Sequence, residues 1–253
     1  MDVTRIVAPN PGPFTGAGTN SYIVTSGSEA LIVDPGPLIS SHLDALRASL
    51  VGLDTVGIAV THHHQDHAPA ANPLAAELGV VTYGFGDFGG FQAISPIADG
   101  EIIHIGNEAV TVISSPGHTP DSLCFLAEDA LFAGDTVMSG STVVVDDMTA
   151  YMATLERLAA LAVEEIYPGH GEPIHGGPAV IAAYIAHRQE RESQIVAALA
   201  AEAHSLDRII AVVYGDIDPA LRPLARQSAL AHLHKLVEEG RAALDGDVWR
   251  SLL

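Results

Sequence analysis

Short apolar runs alternate with helical segments along the first 177 residues of this chain. Runs with the length and composition of strands lie at 21–25, 30–33, 56–60, 110–113, 130–132 and 165–167. Segments that predict helices lie at 42–50, 72–78 and 149–163. Because strands and helices alternate without a detectable repeat, the pattern predicts an α/β core.

The pattern changes after the Gly-Gly-Pro sequence at 176–178. Residues 179–203 predict one long helix with an apolar side and charged residues between. Short helical segments at 205–210, 219–224 and 228–240 follow, and a β-like tail covers 242–249. Three short helices and a β tail predict a winged helix. We therefore expect two domains, 1–177 and 178–253.

The densest candidate chemistry is the sequence Thr-His-His-His-Gln-Asp-His at 61–67, directly after an apolar run. A helical zinc motif would place two histidines four residues apart, whereas this spacing favours a strand end and a turn. His62 and His64 can then point the same way, and Asp66 and His67 can serve a second site nearby. His63 alternates away and is excluded from the ligands. The alternative is a solvated polar loop that binds metal only incidentally.

Three further candidate ligands each lie in a turn after a β-like run. His118 follows the run at 110–113, Asp135 follows the run at 130–132, and His170 follows the run at 165–167. The loop at 61–67 likewise follows an apolar run, so all seven candidate ligands come after strand-like segments. The set favours a built metal site over an incidental one.

These residues resemble the metallo-β-lactamase superfamily over about residues 15–175. Its His-x-His-x-Asp-His signature matches residues 62–67, and its later ligand positions match His118, Asp135 and His170 in order. The resemblance implies a four-layer αββα sandwich with the metals at one edge between the two sheets. It also implies that Asp34, at the end of a predicted strand, lies near the metals without being a ligand; a plain turn residue is the alternative.

The resemblance further implies how the ligands are shared. The first metal would be held by His62, His64 and His118; the second would be held by Asp66, His67 and His170; Asp135 would bridge the two metals. Histidine and carboxylate ligands suit zinc, and iron or manganese also fit them. A hydroxide shared by two metals would attack the substrate. Asp66 is our candidate catalytic residue, because it would also orient this hydroxide.

The C-terminal tail is similar to that of the β-lactamase-like-protein-2 group, whose members pair the metal domain with a winged helix. Residues 178–253 hold eight basic and ten acidic residues, so a DNA-reading face is not indicated. We expect a lid and packing partner for the active site. His232 and Arg226 are the tail residues expected to contact substrate, with helix packing or solvent exposure as alternatives.

Charge and cysteine content narrow the function classes. Residues 1–177 hold 21 acidic and three basic residues, within a chain of net charge −20. Such a surface repels polyanions and disfavours nucleic-acid binding. The single cysteine, Cys124, excludes an intrachain disulfide and cysteine-based zinc sites, and its apolar neighbours indicate a packed residue. No apolar run approaches the ~20 residues of a membrane span, and no secretory signal is evident, so we expect a cytoplasmic location without membrane partners.

The sequence therefore predicts a dinuclear zinc-dependent hydrolase whose metal-bridging hydroxide acts on a small ester, thioester, lactone or amide. Two alternatives stay open. One is a metal-dependent endoribonuclease for single-stranded RNA, which the tail supports and the acidic charge opposes. The other is a non-catalytic, metal-stabilised binding module.

Overall fold

The structure is a computed structural model that describes residues 1–140, 142–202 and 204–252. Its contacts divide the chain into two compact units. The first comprises Met1–Pro116, Asp121–Val143 and Leu161–Pro178. The second comprises Gly117–Pro120, Val144–Ala160 and Ala179–Leu253.

Two six-stranded sheets form the first unit. The first sheet has the order β1-β2-β3-β4-β5-β6. Its strands are β1 (Asp2–Val7), β2 (Asn20–Ser26), β3 (Glu29–Val33), β4 (Asp54–Ala59), β5 (Thr82–Gly84) and β6 (Ser95–Pro96). β1, β2 and β3 pair antiparallel, whereas β3 to β6 pair parallel. The runs at 21–25 and 30–33 thus form the β2–β3 hairpin.

The second sheet has the order β12-β11-β10-β9-β8-β7. Its strands are β7 (Ile102–Ile105), β8 (Glu108–Ser114), β9 (Leu123–Ala127), β10 (Ala130–Gly134), β11 (Glu165–Pro168) and β12 (Ile174–His175). Only the β10–β11 pair is parallel. The six predicted strand runs correspond to β2, β3, β4, β8, β10 and β11, so the α/β prediction is confirmed.

The main core of this unit lies between the two sheets. Tyr22 and Leu31 of the first sheet share one buried cluster with Val112, Phe125 and Phe132 of the second. The other face of the first sheet packs against α1 (Ser40–Ser49) and α2 (Ala71–Leu78), for example through Leu46 and Leu74. Helix, sheet and sheet thus form three packed layers of the predicted sandwich. Its fourth layer stays a prediction.

The second unit holds the remaining helices and a two-stranded sheet. They are α3 (Met148–Ala159), α4 (Gly177–Ala200), α5 (Leu206–Val213), a 3-10 turn (Pro219–Leu221), α6 (Arg222–Glu238), β13 (Ala242–Asp245) and β14 (Val248–Ser251). Ile195, Ile209, Leu233 and Trp249 share its buried cluster. The predicted end of the long helix, residue 203, lies outside the described residues.

The helices of the tail differ from the prediction in one respect. The segments at 219–224 and 228–240 were expected to be separate helices, whereas α6 runs without a break from Arg222 to Glu238. Pro223 lies in the first turn of α6, where the amide hydrogen that proline lacks would have no helical partner. Pro223 therefore marks the start of α6.

Two other predictions can be compared with the structure. Cys124 is fully buried in β9, which confirms its packing role. No helix in the described part of the chain is long and apolar enough to cross a membrane.

Candidate metal centre

Every predicted ligand in the first unit lies just beyond the carboxyl end of a strand. The loop that begins after β4 carries His62, His64, Asp66 and His67 and ends before α2. Asp135 directly follows β10, and His170 lies two residues after β11. β10 and β11 are parallel neighbours, so their carboxyl ends share one sheet edge. The expected strand-end loop is therefore confirmed.

Asp66, His67 and His170 form one group whose ligand atoms lie within 4.8 Å of one another. The Nε2 atoms of His67 and His170 lie 3.4 and 3.3 Å from Asp66 Oδ2. The same two nitrogens lie 3.5 and 3.4 Å from Asp135 Oδ1. Two carboxylates and two imidazoles thus converge on one small volume, and Asp135 adjoins this group as a bridging ligand must.

A second group contains His62, His64, His118 and Asp135, and its ligand atoms also lie within 4.8 Å of one another. His62 Nε2 lies 3.0 Å from His64 Nδ1. His118 Nδ1 lies 2.7 Å from the carbonyl oxygen of Val144. A carbonyl only accepts, so Nδ1 donates this hydrogen bond and His118 Nε2 keeps its lone pair.

One buried carboxylate, Asp34, fixes a histidine in each group. Its Oδ2 accepts from His67 Nδ1 at 2.8 Å and from the Thr61 hydroxyl at 2.7 Å. Since the single hydroxyl proton goes to Asp34, the Thr61 oxygen accepts from His62 Nδ1 at 3.0 Å. Both rings therefore present an Nε2 lone pair to their groups. This is the outer carboxylate–histidine support typical of metal sites.

The Asp34 backbone also has an unusual conformation, with φ at +49°. The sequence left open whether Asp34 lies near the metal site or is a plain turn residue. The structure shows that it is both. A positive φ is tolerated best by glycine, asparagine and aspartate. The turn aims the side chain back across β4, where Oδ1 also accepts from the Thr61 amide at 2.7 Å.

The donor set fits divalent cations. His67 Nε2 is buried and makes no hydrogen bond to a described residue, although two carboxylate oxygens lie within 3.5 Å. A cation between these atoms would satisfy the nitrogen and both oxygens. Close backbone approach completes the site, because a Cβ at Gly169 would clash with Asp135 Oδ1 and His67 Cε1.

The electrostatics of the group also favour positive charge. Burial alone would lower the pKa of His170, but the Asp135 and Asp66 carboxylates outweigh it and raise that pKa to about 9. Burial would also lower the pKa of His67, but the Asp135 and Asp34 carboxylates raise that pKa well above its usual value. Burial would raise the pKa of Asp66, but His170 and His67 hold it well below its usual range. Metal binding would therefore release protons.

Two supporting residues, Thr19 and Asn20, were not among the residues predicted from the sequence. The Thr19 hydroxyl donates to Asp66 Oδ2 at 2.8 Å. The Asn20 amide donates to the carbonyl oxygens of Pro168 and Gly171 at 2.9 and 2.8 Å, which holds the loop that carries His170. Their partners lie 47 to 151 residues away, so no local spacing could reveal them.

The predicted substrate contacts in the tail lie on α6. His232 is fully buried, and neither ring nitrogen has a hydrogen-bond partner among the described residues. Burial lowers the pKa of His232. The Arg226 side chain is 51% exposed and pairs with Asp207. The structure thus shows helix packing for His232 and exposure for Arg226, and a contact of either residue with substrate stays a prediction.

Comparison with known families and sequences agrees with this geometry. The model of the metallo-beta-lactamase superfamily matches residues 14–93 and 84–170. The beta-lactamase associated winged helix domain matches residues 205–249. The chain is 31% identical to the atrochrysone carboxyl ACP thioesterase nsrC of Aspergillus novofumigatus, over 96% of this chain and 81% of the relative. It is 32% identical to the beta-lactamase-like protein 2 homolog of Caenorhabditis elegans, over 94% and 85%.

Solved structures share the fold. A beta-lactamase domain protein from Burkholderia ambifaria has a TM-score of 0.85 at 22% identity, covering 98% of this chain and 91% of that one. A metallo-beta-lactamase family protein from Thermus thermophilus has a TM-score of 0.80 at 22% identity, covering 98% of both chains. The ligand loop, the two-sheet fold and these matches agree: the chain belongs to the metallo-β-lactamase superfamily and carries a C-terminal β-lactamase-associated winged helix domain.

Proposed function

We propose that this enzyme is a thioester hydrolase that uses two divalent cations, with zinc as the native metal. The observation that carries the proposal is the pair of adjacent ligand groups with a supported histidine in each. Metal ions of this kind polarise a carbonyl and lower the pKa of a water molecule from 15.7 toward about 7. The first would be held by His62, His64 and His118; the second would be held by Asp66, His67 and His170; Asp135 would be shared.

The chain's own residues supply positioning and proton handling. Asp66 stays a carboxylate, because its pKa lies well below the usual range. Its Oδ2 already accepts from Thr19, so the side chain is held in place while it retains further lone pairs. We assign Asp66 the role of accepting a hydrogen bond from the attacking water, which orients the water oxygen toward the carbonyl carbon.

The balance of the reaction is that of hydrolysis. A bond forms between the water oxygen and the acyl carbon, and the carbon–sulfur bond breaks. One water proton goes to the departing thiolate, and the other leaves with solvent, so that a carboxylate and a thiol result. No oxidant or further reactant is required.

Two observations support a thioester over the other acyl substrates. Relatives spanning nearly the whole chain include proteins named atrochrysone carboxyl ACP thioesterases. A thiolate is also a good leaving group, so hydrolysis requires little acid assistance. The formal charge of −18 over residues 1–177 opposes the binding of RNA, because a polyanion would be repelled.

The test compares a thioester, a lactone, a β-lactam and single-stranded RNA on one zinc-loaded preparation, with Asp135→Ala as the inactive control. We expect turnover of the thioester above all, and loss of that turnover in Asp135→Ala. Cleavage of RNA without acyl turnover would replace the proposal with the endoribonuclease. Metal-dependent stability without turnover of any substrate would favour a binding module.

A further inference from the structure

A cavity of about 340 Å³ opens beside the ligand loop, and the metal centre does not use it. Its walls come from the ligand loop, the first turn of α2 and the glycine-rich segment between β5 and β6. The polar side chains and exposed backbone in these walls belong to His63, Gln65, Asn72, Gly89, Gly90 and Gln92. The volume falls at the lower end of the range for small-molecule sites, about 300–1,000 Å³.

The cavity adjoins the metal centre through His63. The His63 ring lies 4.9 Å from the ring of His64, a member of the ligand group, measured between centroids. The His63 ring also lies 4.8 Å from the Phe88 ring, measured between centroids. Gln65 directly precedes Asp66 in the same loop. A molecule in the cavity therefore lies alongside the loop that holds the ligands.

His63 is held in place by a buried carboxylate. Asp121, which is 2% exposed, accepts from the His63 amide at 2.9 Å and from the ring Nδ1 at 2.8 Å. A carboxylate only accepts, so Nδ1 carries a hydrogen. The His63 side chain is 22% exposed. The wall of the cavity thus holds an imidazole ring whose orientation is fixed.

The remaining lining combines carboxamides with the apolar side chains of Ala68, Pro69, Pro73 and Phe91. Three carboxamides, those of Gln65, Asn72 and Gln92, line the cavity, and each offers both donors and acceptors. Among the described residues that line it, none is a lysine, arginine, aspartate or glutamate. Asp87 lies 3.4 Å from the Gln92 amide nitrogen, and it adds negative charge beside the cavity. Such a lining suits a neutral chain of secondary amides and opposes a phosphate.

We infer that this cavity binds the amide-bearing arm of the thiol leaving group, of the pantetheine type, while the thioester carbonyl lies at the metal centre. The inference rests on the proposed thioesterase function and deepens it. It assigns substrate recognition to the thiol side of the scissile bond. Hydrogen bonds to the arm would position the carbonyl, as binding energy from a non-reacting part of a substrate can do.

Three thioesters of one acyl group test the inference: butanoyl-pantetheine with two amides, butanoyl-N-acetylcysteamine with one, and butanoyl-ethanethiol with none. We expect kcat/KM to fall in that order. In the double variant Gln65→Ala with Gln92→Ala, kcat/KM for the pantetheine ester should fall about tenfold, while that for the ethanethiol ester stays within about twofold. Both glutamines are exposed, so the variant should fold. Asn107→Ala, an exposed carboxamide in the β7–β8 turn, is the matched control.

A binding measurement separates the inference from the proposed function. S-methylpantetheine cannot be hydrolysed, and calorimetry should detect its binding to the protein with and without zinc. Binding that weakens in the double variant supports the cavity, even if no thioester is turned over. Equal kcat/KM for all three thioesters, with no binding of S-methylpantetheine, would overturn the inference and leave the thioesterase intact.

Discussion

Replacement of Asp34 by asparagine should weaken the binding of both metals. Asparagine has nearly the same shape and tolerates the φ of +49° at this position, so the turn should persist. Its oxygen can still accept from the Thr61 amide. Its NH₂ group, however, would face the Thr61 hydroxyl and His67 Nδ1, which both donate in the wild-type protein. The new NH₂ group would then face two groups that are themselves hydrogen-bond donors, and no acceptor would remain between them.

The size of the effect follows from these contacts. To avoid the clash, His67 must move its hydrogen to Nε2, the atom that would bind the second metal. The Thr61 hydroxyl must turn away, which removes the constraint on His62. Loss of such an outer support typically lowers metal affinity 10- to 100-fold. That factor corresponds to about 1.4 to 2.8 kcal/mol of binding free energy.

The assay is zinc binding in competition with a chromophoric chelator, after circular dichroism has shown that the variant folds. Asp44→Asn is the matched control, because the Asp44 side chain is 72% exposed and pairs with Arg47 in α1. Asp44→Asn should bind zinc as the wild type does. If Asp34→Asn also binds two zincs with wild-type affinity, the tautomer argument is refuted.

Three further predictions concern catalysis and stability. Thr19→Val removes the hydroxyl that holds Asp66, so kcat should fall about tenfold with little change in KM, and Thr19→Ser should restore kcat. Steady-state kinetics on a thioester measure both effects, and a wild-type kcat in Thr19→Val would count against the role of Thr19. Removal of zinc from a sample in which free zinc is a hundred times Kd should lower Tm by about 5–10 °C per site, because the metal binds and stabilises the folded state alone. Calorimetry should show no such shift in Asp135→Ala. Burial lowers the pKa of His232 in the folded protein. As pH falls through about 6.5, His232 is therefore protonated in the unfolded chain before it is protonated in the folded protein, and the free energy of unfolding decreases. Chemical denaturation of His232→Leu should therefore show a smaller loss of stability between pH 7.5 and 5.5 than the wild type, and an unchanged loss would contradict this assignment.

The candidate ligands could be selected from the sequence because their signal is local. Residues 62–67 lie in one loop, and the other ligands each follow a recognisable strand, so spacing and strand ends suffice. The supports of the site depend on tertiary contacts instead. Asp34 reaches Thr61 and His67 only because β3 and β4 pair in parallel, and Asp121 reaches His63 across 58 residues.

The tail was harder to predict for a related reason. The prediction separated 219–224 from 228–240, and the position of Pro223 in the first turn of one continuous helix became clear only from the α6 backbone. His232 was expected to contact substrate because the tail was expected to cover the active site. Periodicity does not reveal how completely a helix face is covered, and His232 is fully buried.

The most direct test of the account is a titration of the metal-free protein with zinc, with thioester hydrolysis as the readout. The two ligand groups predict that the rate rises until about two equivalents of zinc are bound and then stays constant. Hydrolysis at the full rate without added metal, or none at two equivalents bound, would contradict the claim that this site is a dinuclear hydrolytic centre.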